Sequence, residues 1–267
     1  MVKSLFLELK FSDWSFEKLQ SSGANHLIVA LKPLTSRDWE RLKKLNVTLT
    51  ISLNSFDPGI CPANPRSFKI VRERIEKALS FHPKQIYLDH FRFDGHWEKI
   101  RGRKIPGVHR QCKWCKGKDR AKFLSDLAQK VIDLVRGRAE VGYFAVPFKD
   151  EEVEQLVFGL GQDHKRLGRV FDFISPMLYH RMIKKPVAYI SEYIKWLGEK
   201  TEKPVLPIIQ VKDMPDDLPD KLLEEEIKQA FNEACKPPSI GVSFFSWDHA
   251  VEKEKTKLVR ELFGERR

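Results

Sequence analysis

Apolar and polar positions along the chain change period again and again, from two to 3.6 and back. Short runs with strand character fall at 3–11, 26–32, 47–54, 85–93, 140–147, 171–179, 204–212 and 240–247. Each precedes a segment with helical spacing, at 15–22, 35–45, 66–81, 119–137, 151–160, 187–200, 220–236 and 249–264. Phe68, Val71, Ile75, Ala78 and Leu79 form one helical stripe, and Leu124, Leu127, Val131 and Val135 another. Asn64 before Pro65 predicts an N-cap with proline at the first helical position. Strict strand–helix alternation implies a parallel sheet with right-handed crossovers. Eight units of about 33 residues match the (β/α)8, or TIM, barrel. An open doubly wound sheet would want a Gly-rich first turn, and none is present. The chain therefore predicts an α/β fold, one barrel domain over 1–267, with a long Cys-containing loop after the fourth strand.

In a barrel the outer face of each strand packs on helices, so polar residues that share one parity point into the lumen. Val47, Leu49, Ile51 and Leu53 face out, leaving Thr48, Thr50, Ser52 and Asn54 inside. Ile86 and Leu88 face out, leaving Tyr87, Asp89 and Phe91 inside. The same rule places Glu8, Lys10, Lys32, Gln210 and Lys212 inside, together with Ser175, Tyr179, Ser243 and Trp247. Catalytic groups of such barrels sit at the C-terminal strand ends. Asn54, Asp89, Tyr179, Gln210, Lys212 and Trp247 are thus the site candidates.

Asp89, in Ile-Tyr-Leu-Asp-His-Phe-Arg-Phe-Asp-Gly, leads them. A carboxylate near the mouth, with Arg92 three residues on, serves as nucleophile, base or charge stabiliser. The plainer alternative is a structural Asp–Arg pair. Asp94, Asp57 and Asp213 lie in rim loops and are the candidates for a second catalytic carboxylate, each also readable as a turn or loop residue. Glu8 reads as deeper, a neutraliser for Lys10. Trp247 and Tyr179 suit stacking on a sugar ring, or else cap the core.

The four cysteines change the picture most. Cys112 and Cys115 stand in His109-Arg-Gln-Cys-Lys-Trp-Cys in the long loop, and Cys61 in the loop before it. Cys61, His109, Cys112 and Cys115 would complete a tetrahedral Cys3His zinc site of structural kind; redox use of the pair is the rival. Cys235 falls on the seventh helix and is left out. No organic cofactor is expected.

Composition sets the bounds. The 267 residues carry a formal charge of +11, with 42% hydrophobic and 32% charged residues, which excludes disordered and membrane-spanning classes. Glu8 interrupts any signal-peptide core, so a cytoplasmic protein is expected. Scarce Asn beside plentiful Glu, Lys and Arg is a hyperthermophile balance. From Gly95 to Arg120 nine basic residues face two acidic ones, +7 of the +11. Such a field beside a cleft favours anionic ligands, acidic sugars or phosphates; nucleic acid is less favoured because basic residues do not alternate with stacking aromatics.

The stretch Gln85-Ile-Tyr-Leu-Asp-His-Phe-Arg-Phe-Asp94, with Cys61-Pro-Ala-Asn-Pro65 and Ser175-Pro-Met-Leu-Tyr179, resembles a group of glycoside hydrolase-like (β/α)8 barrels, many uncharacterised. In some relatives and in family 42 β-galactosidases, cysteines of the third and fourth loops hold zinc. Here Arg110 stands where one of those cysteines would be, Asp94 replaces the usual proline, and the Asn-Glu pair of family 42 is missing. The resemblance implies a carbohydrate-active barrel with Asp89 as main carboxylate; the residues themselves offer Asp94, Asp57 or Asp213 as acid, and Arg92 to position Asp89 or a substrate carboxylate. Two rivals stand beside it. One is a Schiff-base aldolase or lyase on a sugar phosphate, using Lys10, Lys32 or Lys212. The other is a non-catalytic barrel that binds an anionic polymer through its basic loop.

Overall fold

A computed structural model describes residues 1–9, 16–100, 103–108, 112–152, 156–214, 217 and 221–264, with 95–100, 103–108, 156 and 158 described by backbone alone. Strands β1 (Val2–Leu7), β2 (His26–Ala30), β3 (Thr48–Asn54) and β4 (Gln85–Asp89) are followed by a hairpin, β5 (Gly95–Ile100) and β6 (Arg103–Val108). Then come β7 (Glu140–Ala145), β8 (Phe173–Pro176), β9 (Ile208–Gln210) and β10 (Gly241–Phe245). All but the hairpin pair in parallel in the order β8-β7-β4-β3-β2-β1-β10-β9. Bridges Ile174–Val205 and Met177–Ile208 join β8 to the chain around β9, so the eight strands make a nearly closed (β/α)8 barrel.

Helices α1 (Phe16–Gln20), α2 (Ser36–Lys43), α3 (Pro65–Leu79) and α4 (Arg120–Val135) follow their strands. After these come α5 (His164–Gly168), α6 (Tyr189–Thr201), α7 (Glu224–Ala234), α8 (Trp247–Glu252) and α9 (Thr256–Gly264). Their starts are written in the sequence. Thr35 and Asp38 form a capping box on α2, and Asn64 accepts the Arg66 N–H ahead of α3 with Pro65 at its first position. Asp119 accepts the Lys122 N–H ahead of α4. The segment expected to be the fifth helix is instead a π-helical turn, Leu156–Leu160, ahead of a short α5, and the last helix is broken in two.

Two apolar cores result. The larger lies between sheet and helices and includes Leu49, Ile51, Leu53, Ile86 and Leu88, as parity required. The smaller fills the lumen with Phe6, Ile28, Tyr87, Phe144, Phe173, Tyr179, Leu206 and Ile208. Gly142 makes room for it, since a Cβ there would lie 2.0 Å from the Phe173 ring. Ser4, His26, Thr50 and Gln85, on four adjacent strands, form a hydrogen-bonded layer within the lumen. Two expectations fail for one reason. Phe91 stacks on Phe56 outside the lumen, because β4 ends at Asp89 and His90 turns with φ +50°. Trp247 begins α8, because Ser246 ends the strand as a helix cap.

Candidate functional site

A cleft of about 550 Å³ opens at the C-terminal strand ends. Its wall includes Glu8 beyond β1, Lys32 beyond β2, Ser52 and Asn54 of β3, Asp57 of the following loop, Asp89 closing β4, and Arg74 and Lys77 of α3. Phe6 and Phe245 contribute apolar surface, their rings 5.1 Å apart. A pocket at this face with polar groups converging on it is where ligands of such folds bind.

Asp89 is 23% exposed; its Oδ1 accepts the His90 N–H at 2.8 Å and lies 3.1 Å from His90 Nδ1. Burial pushes the Arg92 guanidinium below its ordinary range, and the charges of Asp89 and Asp94 oppose that. Arg92 itself lines a smaller adjoining pocket with His90, Asp57 and Asp94. Beyond β1, Glu8 Oε2 accepts from the Ser246 hydroxyl at 2.9 Å and lies 3.0 Å from His249 Nε2. The Glu8 N–H donates to Asp248 Oδ2 at 2.7 Å. Tyr179 packs against Phe245; burial raises its phenol well above the ordinary range, with further contributions from Asp89 and Glu8. Both carboxylates are therefore close to one buried ring.

The other expected residues are distributed as follows. Asp57 reaches the cleft but is bound to Arg74 at 2.7 Å, and Arg74 also donates to the Asn54 carbonyl. Asp94 accepts the Gly59 N–H and ties two rim loops together. Asp213 is exposed and accepts the Leu222 N–H, outside the cleft wall. Gln210 is buried and donates to Asp217 and to the Lys212 carbonyl, anchoring the segment after β9. Lys212 pairs with Glu252. Trp247 is 1% exposed in the outer core, which leaves no face for a sugar. Glu8 lines the cleft rather than lying beneath it; Lys10, its expected partner, lies outside the described residues. Parity had put Glu8 in the lumen, but nothing local could show that Ser246 and His249, at the other end of the chain, would hold it.

The cysteines do converge. Cys61, Cys112 and Cys115 have their sulfurs within 4.8 Å of one another and could hold a metal ion. Cys112 and Cys115 Sγ are 3.7 Å apart, and sulfurs on a tetrahedral zinc sit about 3.8 Å apart. The Cys115 and Lys116 N–H groups both donate to the Cys112 carbonyl, closing the turn that brings the pair together. Burial pushes the Cys61 thiol up to about 12, which argues against a reactive thiolate. His109 and Arg110 lie outside the described residues.

Comparison with known proteins bears on the fold. No family model and no curated protein matches the chain. Solved structures do. The glycoside hydrolase domain of PgaB (BpsB) from Bordetella bronchiseptica aligns over 100% of both chains, with TM-score 0.72 and 10% identity. The shared fold is the (β/α)8 barrel. The spore cortex-lytic enzyme SleL of Bacillus megaterium QM B1551 aligns over 91% of this chain and 69% of its own, with TM-score 0.60 and 10% identity. A GH2 β-galacturonidase from Eisenbergiella tayi, solved with galacturonate, aligns over 98% of this chain and 51% of its own, with TM-score 0.64 and 11% identity. Among the described residues no helix is long and apolar enough to cross a membrane.

Proposed function

We propose that the chain hydrolyses a glycosidic bond in an anionic carbohydrate, with Asp89 as its main catalytic carboxylate, acting as nucleophile or base. The observation that carries this reading is the place of Asp89: at the C-terminal end of a barrel strand, in the wall of an open cleft, beside His90 and the half-buried Arg92. The anionic preference is supported by Lys32 and Lys77, exposed on the wall without an ion-pair partner among the described residues. A galacturonate-bound neighbour of the same fold is consistent with it. The test is turnover of aryl uronides and aryl hexosides by the wild-type chain and by Asp89→Asn. Hydrolysis lost in the variant, with the fold intact, supports the assignment; hydrolysis retained removes it.

The three converging sulfurs support zinc as a structural ion, with His109 as the candidate fourth ligand. An ion there would tie the loop after β3 to the loop before α4, at the rim of the cleft, and takes no part in the hydrolysis. Glu252 holds Lys212, and Lys32 is exposed rather than desolvated, so neither favours the Schiff-base alternative.

A further inference from the structure

β4 ends at Asp89, and the residue after it, His90, has φ +50°. Glycine adopts this left-handed backbone freely, whereas a residue with a Cβ adopts it at a cost. The turn is pinned from both sides. The Asp89 carbonyl accepts the Ser55 N–H at 2.7 Å, and the His90 carbonyl accepts the Arg92 N–H at 2.8 Å. Phe91, fully buried, stacks on Phe56 and meets the Phe171 ring edge-on. Backbone strain persists where the surroundings over-determine it, and it gathers at sites that use it. Here it brings the imidazole back against the preceding side chain. The His90 N–H donates to Asp89 Oδ1 at 2.8 Å, and His90 Nδ1 lies 3.1 Å from the same oxygen. Nδ1 is itself buried although 43% of the side chain is exposed, and its contact with Asp89 is close without being aligned as a hydrogen bond. Catalytic hydrogen bonds are often loose in a free enzyme and tighten around the reacting group.

We infer that His90 is the positioning residue of the catalytic carboxylate: its backbone N–H and its Nδ1–H together fix Asp89 Oδ1, and with it the plane and place of Oδ2. The inference rests on the glycosidase reading above. Facing a carboxylate oxygen, Nδ1 carries the ring proton. A nucleophile or base works only when held within about 0.5 Å of its productive place. His90 supplies that hold from the adjacent position in the chain, with no other element recruited. Glycine at 90 would make the same turn with less strain but would keep only one of the two contacts, which accounts for a ring at a left-handed position. His90 lines the small pocket of Asp57, Arg92 and Asp94 rather than the cleft wall, so it acts through Asp89 and not on the substrate.

Two variants test this on the aryl glycoside that the wild-type chain cleaves. His90→Gly keeps the turn and removes the ring. His90→Asn keeps a side-chain N–H in a residue that tolerates the left-handed region. His90→Gly is expected to lower kcat by about 10–100-fold, with KM nearly unchanged and Tm equal to or above that of the wild type. His90→Asn should recover most of the lost kcat. A merely structural ring would give the reverse: a lowered Tm, retained kcat, and no advantage of asparagine over glycine. Retained kcat in His90→Gly, equal losses in the two variants, or a glycine variant that loses its fold each overturns the assignment. The glycosidase reading stands in all three cases as long as Asp89→Asn abolishes turnover. Absence of any wild-type turnover overturns both.

Discussion

Ser4 on β1 and His26 on β2 lie side by side in the lumen, the serine hydroxyl 2.8 Å from the imidazole Nδ1. The other nitrogen, Nε2, faces Thr50 Oγ1 at 2.9 Å and the Gln85 carbonyl oxygen at 3.2 Å. An acceptor at Nε2 places the ring proton there, so Nδ1 accepts from Ser4 and the ring is neutral. Burial lowers its pKa from 6.5 to about 4. The sign follows directly. The unfolded chain takes up a proton as pH falls through 6.5 and the folded one does not until about 4. Stability present above 6.5 is therefore lost between these values, by about 3 kcal/mol for this one residue. His164, buried beneath Tyr143, is lowered to about 3 and adds to the slope. Urea unfolding from pH 7 to 4 should show the loss, and His26→Gln should flatten it; an unchanged slope in the variant would show that His26 is not the group responsible.

Lys32 and Lys77 offer ammonium groups to the cleft from β2 and α3. If the substrate is an acidic sugar, Lys32→Ala and Lys77→Ala should each raise KM several-fold on the uronide, leave kcat nearly unchanged, and reduce the salt dependence of kcat/KM. A neutral hexoside should be unaffected. Equal changes on both substrates would remove the anionic preference and leave hydrolysis untouched.

Cys61, Cys112 and Cys115 should bind one zinc per chain, measured by elemental analysis, and Cys115→Ser should abolish it. Cys235→Ser, on the far helix end, should retain full loading. Chelation should lower Tm, with each 1 kcal/mol of lost stability appearing as about 2–4 °C. A chain purified without metal that gains no stability on adding zinc would contradict the site.

Much of the barrel was legible because two rules run through the whole chain. Alternation placed Thr50, Ser52, Tyr87 and Asp89 inside and Ile51, Leu53, Ile86 and Leu88 against the helices, and the Asn64 cap before Pro65 marked the start of α3. Parity fails once a strand ends. At His90 the backbone turns, and at Ser246 a helix begins, so Phe91 and Trp247 lie outside the lumen. The hairpin of β5 and β6 was read as loop, because its segment combines a run of basic residues with Pro106 and Gly107. The surroundings of Glu8 were illegible for another reason: they are built by β1 and α8, the two ends of the chain, and local periodicity carries no record of such pairings.

Gly142 tests the lumen packing. A Cβ at this position would meet Phe173 Cε2 at 2.0 Å and the Phe173 carbonyl oxygen at 2.6 Å. The ring can turn aside, but the carbonyl belongs to the β7–β8 ladder and cannot. Gly142→Ala should therefore destabilise by about 1–3 kcal/mol or more, and Phe173→Leu in the same chain should restore only part of it. Full restoration would show that the ring alone sets the constraint.

Trp247 separates the two uses of an aromatic residue in a barrel. It is 1% exposed, among the largest fully buried side chains, and it starts the helix whose Ser246 cap holds Glu8. Trp247→Ala should cost about 3–5 kcal/mol, seen as a fall in urea midpoint. A sugar platform would behave differently: its removal would raise KM and leave stability nearly unchanged. Trp247→Phe, which keeps most of the volume, should hold KM at the wild-type value and lose only part of that stability. A KM raised tenfold in Trp247→Phe with unaltered unfolding would put the indole in contact with substrate after all.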